Sequence, residues 1–173
     1  MSEDNKLTVN LYRDGSIESS HEVNLYSNKK QYDDYFFPRS SVKPMQVIPL
    51  LLEASNQNIE FTSEEIALFA ASHSGQVEHI ELLRETAKKF KVDLDNIICG
   101  PQRPFHDETA DNLLILGEKY TKLHNNCSGK HLSMLIFSEL LSVDSSNYYD
   151  LIHKTQEITK QYFIEIFENE DIG

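Results

Sequence analysis

Ser40 and Lys43 are the first pair of side chains whose types and spacing could do chemistry. They stand three residues apart where a helix is predicted to begin, so the hydroxyl and the amine should share one face within hydrogen-bond reach. A serine hydroxyl needs a base to become a nucleophile, and a desolvated lysine can be that base. The spacing is a weak signal, because Ser27 and Lys30 repeat it in a polar loop. The alternative is a capping serine beside a surface lysine.

A second concentration of hydroxyl groups is the segment Ser72-His73-Ser74-Gly75, where a predicted helix gives way to a loop. Junctions of this kind often carry function, because their polar groups need not be buried. The alternative is a helix C-terminus that is closed by Gly75 in a left-handed conformation. The residues alone leave both interpretations open.

A third concentration has the residue types of a metal site. Cys127 and His131 are one helical turn apart, a spacing compatible with zinc. His124 is a nearby third candidate and Cys99 a distant one. The alternative is an inert, small apolar cysteine beside surface polar residues. The Gly-Lys pair in this segment does not indicate a phosphate loop, because the earlier glycine of that motif is absent.

Composition narrows the class of protein. The chain has 173 residues and a formal net charge of -12, which argues against nucleic acid and against an anionic membrane surface as partners. The N-terminal residues lack the basic start and apolar run of a signal peptide, and no apolar stretch is long enough to cross a bilayer. The two cysteines are therefore expected to be reduced or metal-bound. We expect a cytoplasmic protein.

The elements that must position these residues are a hairpin followed mainly by helices, which indicates an α+β fold. Strands are predicted over Leu7–Tyr12 and Ile17–Tyr26, joined by an Asp-Gly turn. In the first helix, Pro49 predicts a kink or an early break. One strand pair offers too little surface for so many helices to pack on, and a stable sheet usually needs three or more strands. Further strands of the sheet are therefore expected to be missing. Helices are predicted from Ser40 or Ser41 to Ala54, from a Thr62 cap to Ala71, and over Val77–Phe90, Glu108–Glu118, Ser128–Leu141 and Ser146–Phe167.

Taken in order, four segments resemble the rhizobial-type L-asparaginases, a family that uses Ser-Lys pairs and binds zinc. The similarity spans nearly the whole chain. It implies a fold like that of serine β-lactamases and serine-dependent glutaminases, and hydrolysis of L-asparagine to L-aspartate and ammonia. The segments are Phe37-Pro38-Arg39-Ser40-Ser41-Val42-Lys43-Pro44-Met45-Gln46, Ala71-Ser72-His73-Ser74-Gly75, Cys99-Gly100-Pro101 and His124-Asn125-Asn126-Cys127-Ser128-Gly129-Lys130-His131.

The resemblance also implies roles for individual residues. It places His131 near the substrate rather than on the metal, and it makes a lysine a zinc ligand, which requires a neutral amine. Arg39 is a plausible partner for a carboxylate because its guanidinium is a bidentate fork. The implied residues are catalytic Ser40, Lys43 and Ser72, substrate-binding Arg39 and His131, and zinc-binding Cys127 and Lys130.

Family members are considerably longer than this chain. Residues 1–173 are therefore expected to be the N-terminal half of one domain, with an incomplete central sheet and a weak zinc site without its third ligand. On that expectation the chain alone has little or no activity, and its partners are L-asparagine and a second copy or a complementing C-terminal half. Two alternatives stay open: another Ser-x-x-Lys amidohydrolase such as a glutaminase, and a degenerate fragment without catalysis.

Overall fold

Residues 7–13, 16–23 and 39–168 are described by the structure, a computed structural model. Residues 1–37 and 38–173 form two compact units. In the first unit, strands β1 (Leu7–Arg13) and β2 (Ser16–Val23) pair antiparallel, so the alternating pattern correctly predicted a strand pair. The predicted Asp-Gly turn, the extension of the second strand to Tyr26 and the loop ending at Pro38 lie outside the described residues.

The second unit is helical within its described part. The sequence predicted a helix at each of six positions, and α3 has the predicted bounds. No described helix is long and apolar enough to cross a membrane. The helices are α1 (Lys43–Asn56), α2 (Ser63–Ala70), α3 (Val77–Phe90), α4 (Asp107–Ile115), α5 (Ser128–Leu140) and α6 (Lys154–Phe167).

The first helix differs from its prediction at both ends. A turn of 3-10 helix over Arg39–Val42 precedes it, so Ser40 is not on α1. The helix also continues past Pro49 to Asn56, and the predicted early break is wrong. Pro49 is buried on the same helix as Val47 and Leu50, and this packing outweighs the hydrogen bond that a proline cannot donate.

The last helix begins later than predicted. A continuous helix from Ser146 is wrong, because the His153 side chain caps the first turn of α6. Turns precede this cap, and they bury Tyr148 completely while Leu151 and Ile152 are 84% and 85% exposed. The three residues therefore do not form one apolar helix face.

Helix α5 is the centre of the helical unit, because it packs against α1, α2, α3 and α6. Its large buried apolar side chains belong to the main hydrophobic core, and burying each of them contributes roughly 1.5–3 kcal/mol. The large apolar side chains that α5 buries are Leu132, Leu135, Ile136 and Phe137.

Gly129 lets α5 and α2 approach each other closely. A Cβ atom at this position would collide with the carbonyl oxygen of Leu68 and would lie 2.8 Å from its carbonyl carbon. Both are backbone atoms of α2, so they cannot yield as a flexible side chain would. The absence of a side chain at Gly129 is thus a condition for the start of α5 to lie against α2.

A predicted capping box starts α2 and is confirmed. The Thr62 hydroxyl accepts the backbone N–H of Glu65 at 3.2 Å, and the Glu65 carboxylate accepts that of Thr62 at 2.8 Å. The same buried carboxylate accepts from the Lys89 amine on α3 at 2.9 Å. The start of α2 is therefore tied both to itself and to α3.

Replacing Gly129 should destabilise the fold. An alanine in a helix gains about 1 kcal/mol over glycine, but here the methyl group meets backbone, and overpacking costs typically 1–3 kcal/mol. We expect Gly129→Ala to lower the free energy of unfolding by up to about 2 kcal/mol in urea titrations. Gly100→Ala is the matched control, because nothing lies within 4 Å of its Cβ position. Equal stability of the two variants would contradict the close approach.

Candidate active site

The Lys43 amine joins three distant segments of the chain. Its side chain is buried, with 5% exposure. Nζ donates to Ser72 Oγ at 3.0 Å and to the backbone carbonyls of Ala71 and Asn126, each at 3.3 Å. These contacts bring together the start of α1, the segment after α2 and the segment before α5. A hydroxyl and two carbonyl oxygens, rather than a carboxylate, surround the amine.

Ser40 is not joined to Lys43 by a hydrogen bond. Ser40 is exposed in the 3-10 turn before α1, and the three hydrogen bonds of the Lys43 amine go elsewhere. The expected contact between them is therefore wrong, because the two residues lie on different elements and only the lysine turns inward. Arg39 is also exposed and has a φ of 50°. The catalytic role of Ser40 and the binding role of Arg39 stay predictions.

Ser72 lies in an extended segment between α2 and α3. Helix α2 has already ended at Ala70, and Ala71 has an extended conformation. Gly75 has a φ of +76°, but it stands too far along the chain to close α2. Its Cβ position lies 3.0 Å from the carbonyl oxygen of His124 and 3.1 Å from Pro104 Cβ. The glycine therefore permits both the left-handed conformation and a close packing contact.

His73 anchors this segment to the start of α5. Its Nδ1 accepts the backbone N–H of Gly75 at 3.1 Å, so the proton of the neutral ring is on Nε2. Nε2 then donates to Ser128 Oγ at 2.7 Å, and Ser128 Oγ donates to the carbonyl of Leu123 at 3.1 Å. His73 follows Ser72 directly, so this chain of bonds also restrains the backbone at Ser72.

No local pattern in the sequence assigns a role to His73 or Ser128. Both lie within the motifs named above, yet their contact spans 55 positions, and no local spacing reveals such a pairing. Burial, followed by the charges of His79, Lys43 and His124, lowers the pKa of His73 to about 4. The ring is therefore neutral near pH 7.

Cys127 and Lys130 lie at the first turn of α5. Cys127 Sγ donates to Asn126 Oδ1 at 3.4 Å, and the buried Lys130 amine donates to the carbonyl of Gln46 at 3.4 Å. Burial, and then the charge of Lys43, lowers the pKa of Lys130 to about 7. A thiol and an amine with a large neutral fraction are donors that suit zinc.

Spacing alone predicted Cys127 and His131 as metal ligands, with His124 or Cys99 as a third. The geometry does not support this set. Among the described residues, no three His, Cys, Asp or Glu side chains are grouped closely enough to hold a metal ion. Nδ1 of His124 accepts the N–H of Thr121 at 3.0 Å. Burial, and then the charge of Cys127, raises the pKa of Cys99 to about 11. Both cysteines are free thiols.

His131 is the remaining candidate for substrate binding. Its Nδ1 lies 2.8 Å from the hydroxyl of Tyr148. Burial, followed by the charges of Lys130 and Lys43, lowers the pKa of His131 to about 4. The charge of Lys43 therefore contributes to the lowered pKa values of His131, Lys130 and His73.

Acid should destabilise the fold through His73. Its pKa falls from 6.5 to about 4 on folding, so the unfolded chain binds a proton between these values and the native chain does not. Stability is then lost as the pH falls from about 6.5 to about 4, at up to about 1.4 kcal/mol per pH unit for one group. Urea titrations at several pH values should show this slope, and His73→Gln should make it smaller. Equal slopes in the two proteins would contradict a buried neutral His73.

Two comparisons with known proteins bear on the identity of the chain. A search of curated proteins found no match to the chain. The sequence profile of L-asparaginase II matches residues 9–172, which include most of β1, all of β2, the Lys43–Ser72 contact and the start of α5. The match covers nearly all of the 173 residues. The chain belongs to the L-asparaginase II family.

Proposed function

We propose that the chain carries the site of an L-asparaginase, which converts L-asparagine and water to L-aspartate and ammonia. Family membership supports hydrolysis of an amide. The observation that carries the proposal is the 3.0 Å contact between Lys43 Nζ and Ser72 Oγ, at a lysine that is 5% exposed. A buried amine against a serine hydroxyl is the arrangement that nucleophilic catalysis by a Ser-Lys pair requires.

In this proposal Ser72 is the nucleophile and Lys43 is the base, after Nζ has released one of its three protons and can accept from the Ser72 hydroxyl instead of donating to it. The Ser72 proton passes to Lys43 Nζ while Oγ bonds to the side-chain carbonyl carbon of asparagine. Lys43 then returns the proton to the leaving nitrogen, the carbon–nitrogen bond breaks, and ammonia leaves an aspartyl ester on Ser72. A water molecule attacks the ester, gives a proton to Lys43 and releases aspartate. Lys43 returns that proton to Ser72 Oγ, and both side chains regain their starting forms.

Three other residues complete the proposed site. Ser40, which precedes Lys43 by three residues, supplies a second hydroxyl and is the alternative nucleophile. The Arg39 guanidinium suits the α-carboxylate of the substrate, because it offers two parallel donors. His131 binds a polar group of the substrate, in keeping with its position beside Lys130 and within the field of Lys43.

Cys127 and Lys130 would hold a zinc ion. Their donor chemistry fits, since a thiolate and a neutral amine one turn apart at the start of α5 can face the same ion. When bound, zinc would supply a fixed positive charge able to orient and polarise an oxygen of the substrate. Gly129 lies between the two ligands and packs closely against Leu68 of α2, and this packing would hold both ligands rigidly.

The proposed fold is the β-lactamase and glutaminase-like α+β fold. An antiparallel strand pair in one unit and a set of helices around α5 in the other are each compatible with part of such a fold. The activity nearest to the proposed one is a glutaminase, and a binding module without catalysis is the alternative outside enzymes.

Substitutions in the Ser72 segment test the proposal. We expect Ser72→Ala to lower ammonia release from L-asparagine by at least about 100-fold, because the nucleophile is lost, and Lys43→Met to lower it by about as much. The assay uses the purified chain with zinc, at protein concentrations comparable to the substrate, so that a single turnover is detected. Circular dichroism verifies that each variant is folded.

Ser74→Ala is the matched control. It removes a hydroxyl from the same segment, whose bond is to Gln76 at 3.0 Å, and it should leave the rate within about twofold. A large loss with Ser40→Ala and none with Ser72→Ala would reverse the assignment of the nucleophile. Faster ammonia release from glutamine would indicate a glutaminase, and none from either amide, with or without a complementing C-terminal half, would reject the enzyme.

A further inference from the structure

Tyr148 is a buried residue of the turns between α5 and α6 that the proposed chemistry does not yet use. Its side chain has 0% exposure. Its ring packs edge-on against the His131 ring, with centroids 5.8 Å apart and planes at 74°. Its backbone carbonyl accepts from the Gln156 side chain of α6 at 2.7 Å. The ring is therefore packed against His131, while the backbone of Tyr148 is tied to α6.

The hydrogen bonds of this hydroxyl determine where its proton goes. The oxygen accepts the backbone N–H of Ile98 at 3.1 Å and lies 2.8 Å from His131 Nδ1. A tyrosine hydroxyl has one proton to donate, and within the described part of the chain Nδ1 is the only acceptor in reach. A buried donor without a partner would cost about 1–3 kcal/mol. Tyr148 therefore donates to His131 Nδ1.

This direction sets the tautomer of His131. A ring nitrogen that accepts a hydrogen bond carries no proton, so the neutral ring has its proton on Nε2. No residue of the described part of the chain forms a hydrogen bond with Nε2. His131 thus offers a donor and offers no free acceptor, because Tyr148 occupies the acceptor.

We propose that Tyr148 is a positioning residue that fixes His131 as an Nε2–H donor, so that His131 recognises an oxygen of the substrate rather than its ammonium or amide nitrogen. The second half of this statement rests on the proposed function, since it takes His131 as substrate-binding. The chemical class that such a donor recognises is a carboxylate or carbonyl oxygen of an amino acid.

The tautomer can be measured without any activity. In the protein labelled with 15N-histidine, we expect the His131 signals to show an unprotonated Nδ1 and a protonated Nε2 near pH 7; the signals missing in His131→Gln give the assignment. Tyr148→Phe keeps the ring and removes the hydroxyl, so both nitrogens should move toward values averaged over the two tautomers. A protonated Nδ1 in the unsubstituted protein, or unchanged signals in Tyr148→Phe, would overturn the proposal.

Binding of the product tests the second half. L-aspartate should shift the His131 Nε2–H signal, and Tyr148→Phe should weaken its binding about fivefold to tenfold, the size of one neutral hydrogen bond. Tyr149→Phe is the matched control, because it removes the hydroxyl of the neighbouring, half-exposed ring. The affinity of this variant for L-aspartate should equal that of the unsubstituted protein. Equal weakening in both variants, or no shift of Nε2–H by aspartate, would refute substrate recognition by His131.

The two proposals can fail separately. If no ammonia is released but the tautomer and the aspartate shift are as expected, the catalytic assignment fails while the role of Tyr148 stands. If ammonia is released and the tautomer is the opposite one, the enzyme stands and the role of Tyr148 is rejected.

Discussion

The site depends on one physical constraint, which is that the amine of a buried lysine must have hydrogen-bond acceptors. Lys43 is nearly enclosed, and its amine finds its acceptors in Ser72 and in the carbonyls of Ala71 and Asn126. Each acceptor comes from a different stretch of chain than the lysine itself. Satisfying the amine therefore draws the start of α1, the end of α2 and the start of α5 to one point.

The approach of α5 to α2 makes this meeting possible. Gly129 leaves room for the backbone of Leu68, so the first turn of α5 carries Cys127, Lys130 and His131 inward. Helix α5 then continues as the apolar centre of the unit. The same helix thus holds polar groups at its first turn and core side chains beyond it, and the core gives the polar end its rigidity.

Hydrogen bonds of two buried histidine rings fix further side chains of the site. His73 donates to Ser128 and His131 accepts from Tyr148, so each ring is held in one tautomer by a neighbour on another element. Buried hydrogen-bonded groups of this kind specify a single arrangement, because any other would leave a donor or an acceptor without a partner. The lowered pKa values of both rings follow first from the same burial.

Local patterns in the sequence determined most of the helices, the strand pair and the family. The period of apolar residues placed α3 correctly, and the capping box placed the start of α2, because both signals act over a few neighbouring residues. Motif order identified the L-asparaginase II family. The tertiary structure decided which serine contacts Lys43, that Tyr148 stays out of α6, and that His73 bonds to Ser128. These outcomes depend on burial and on partners far along the chain, and spacing within one helix carries no information about either.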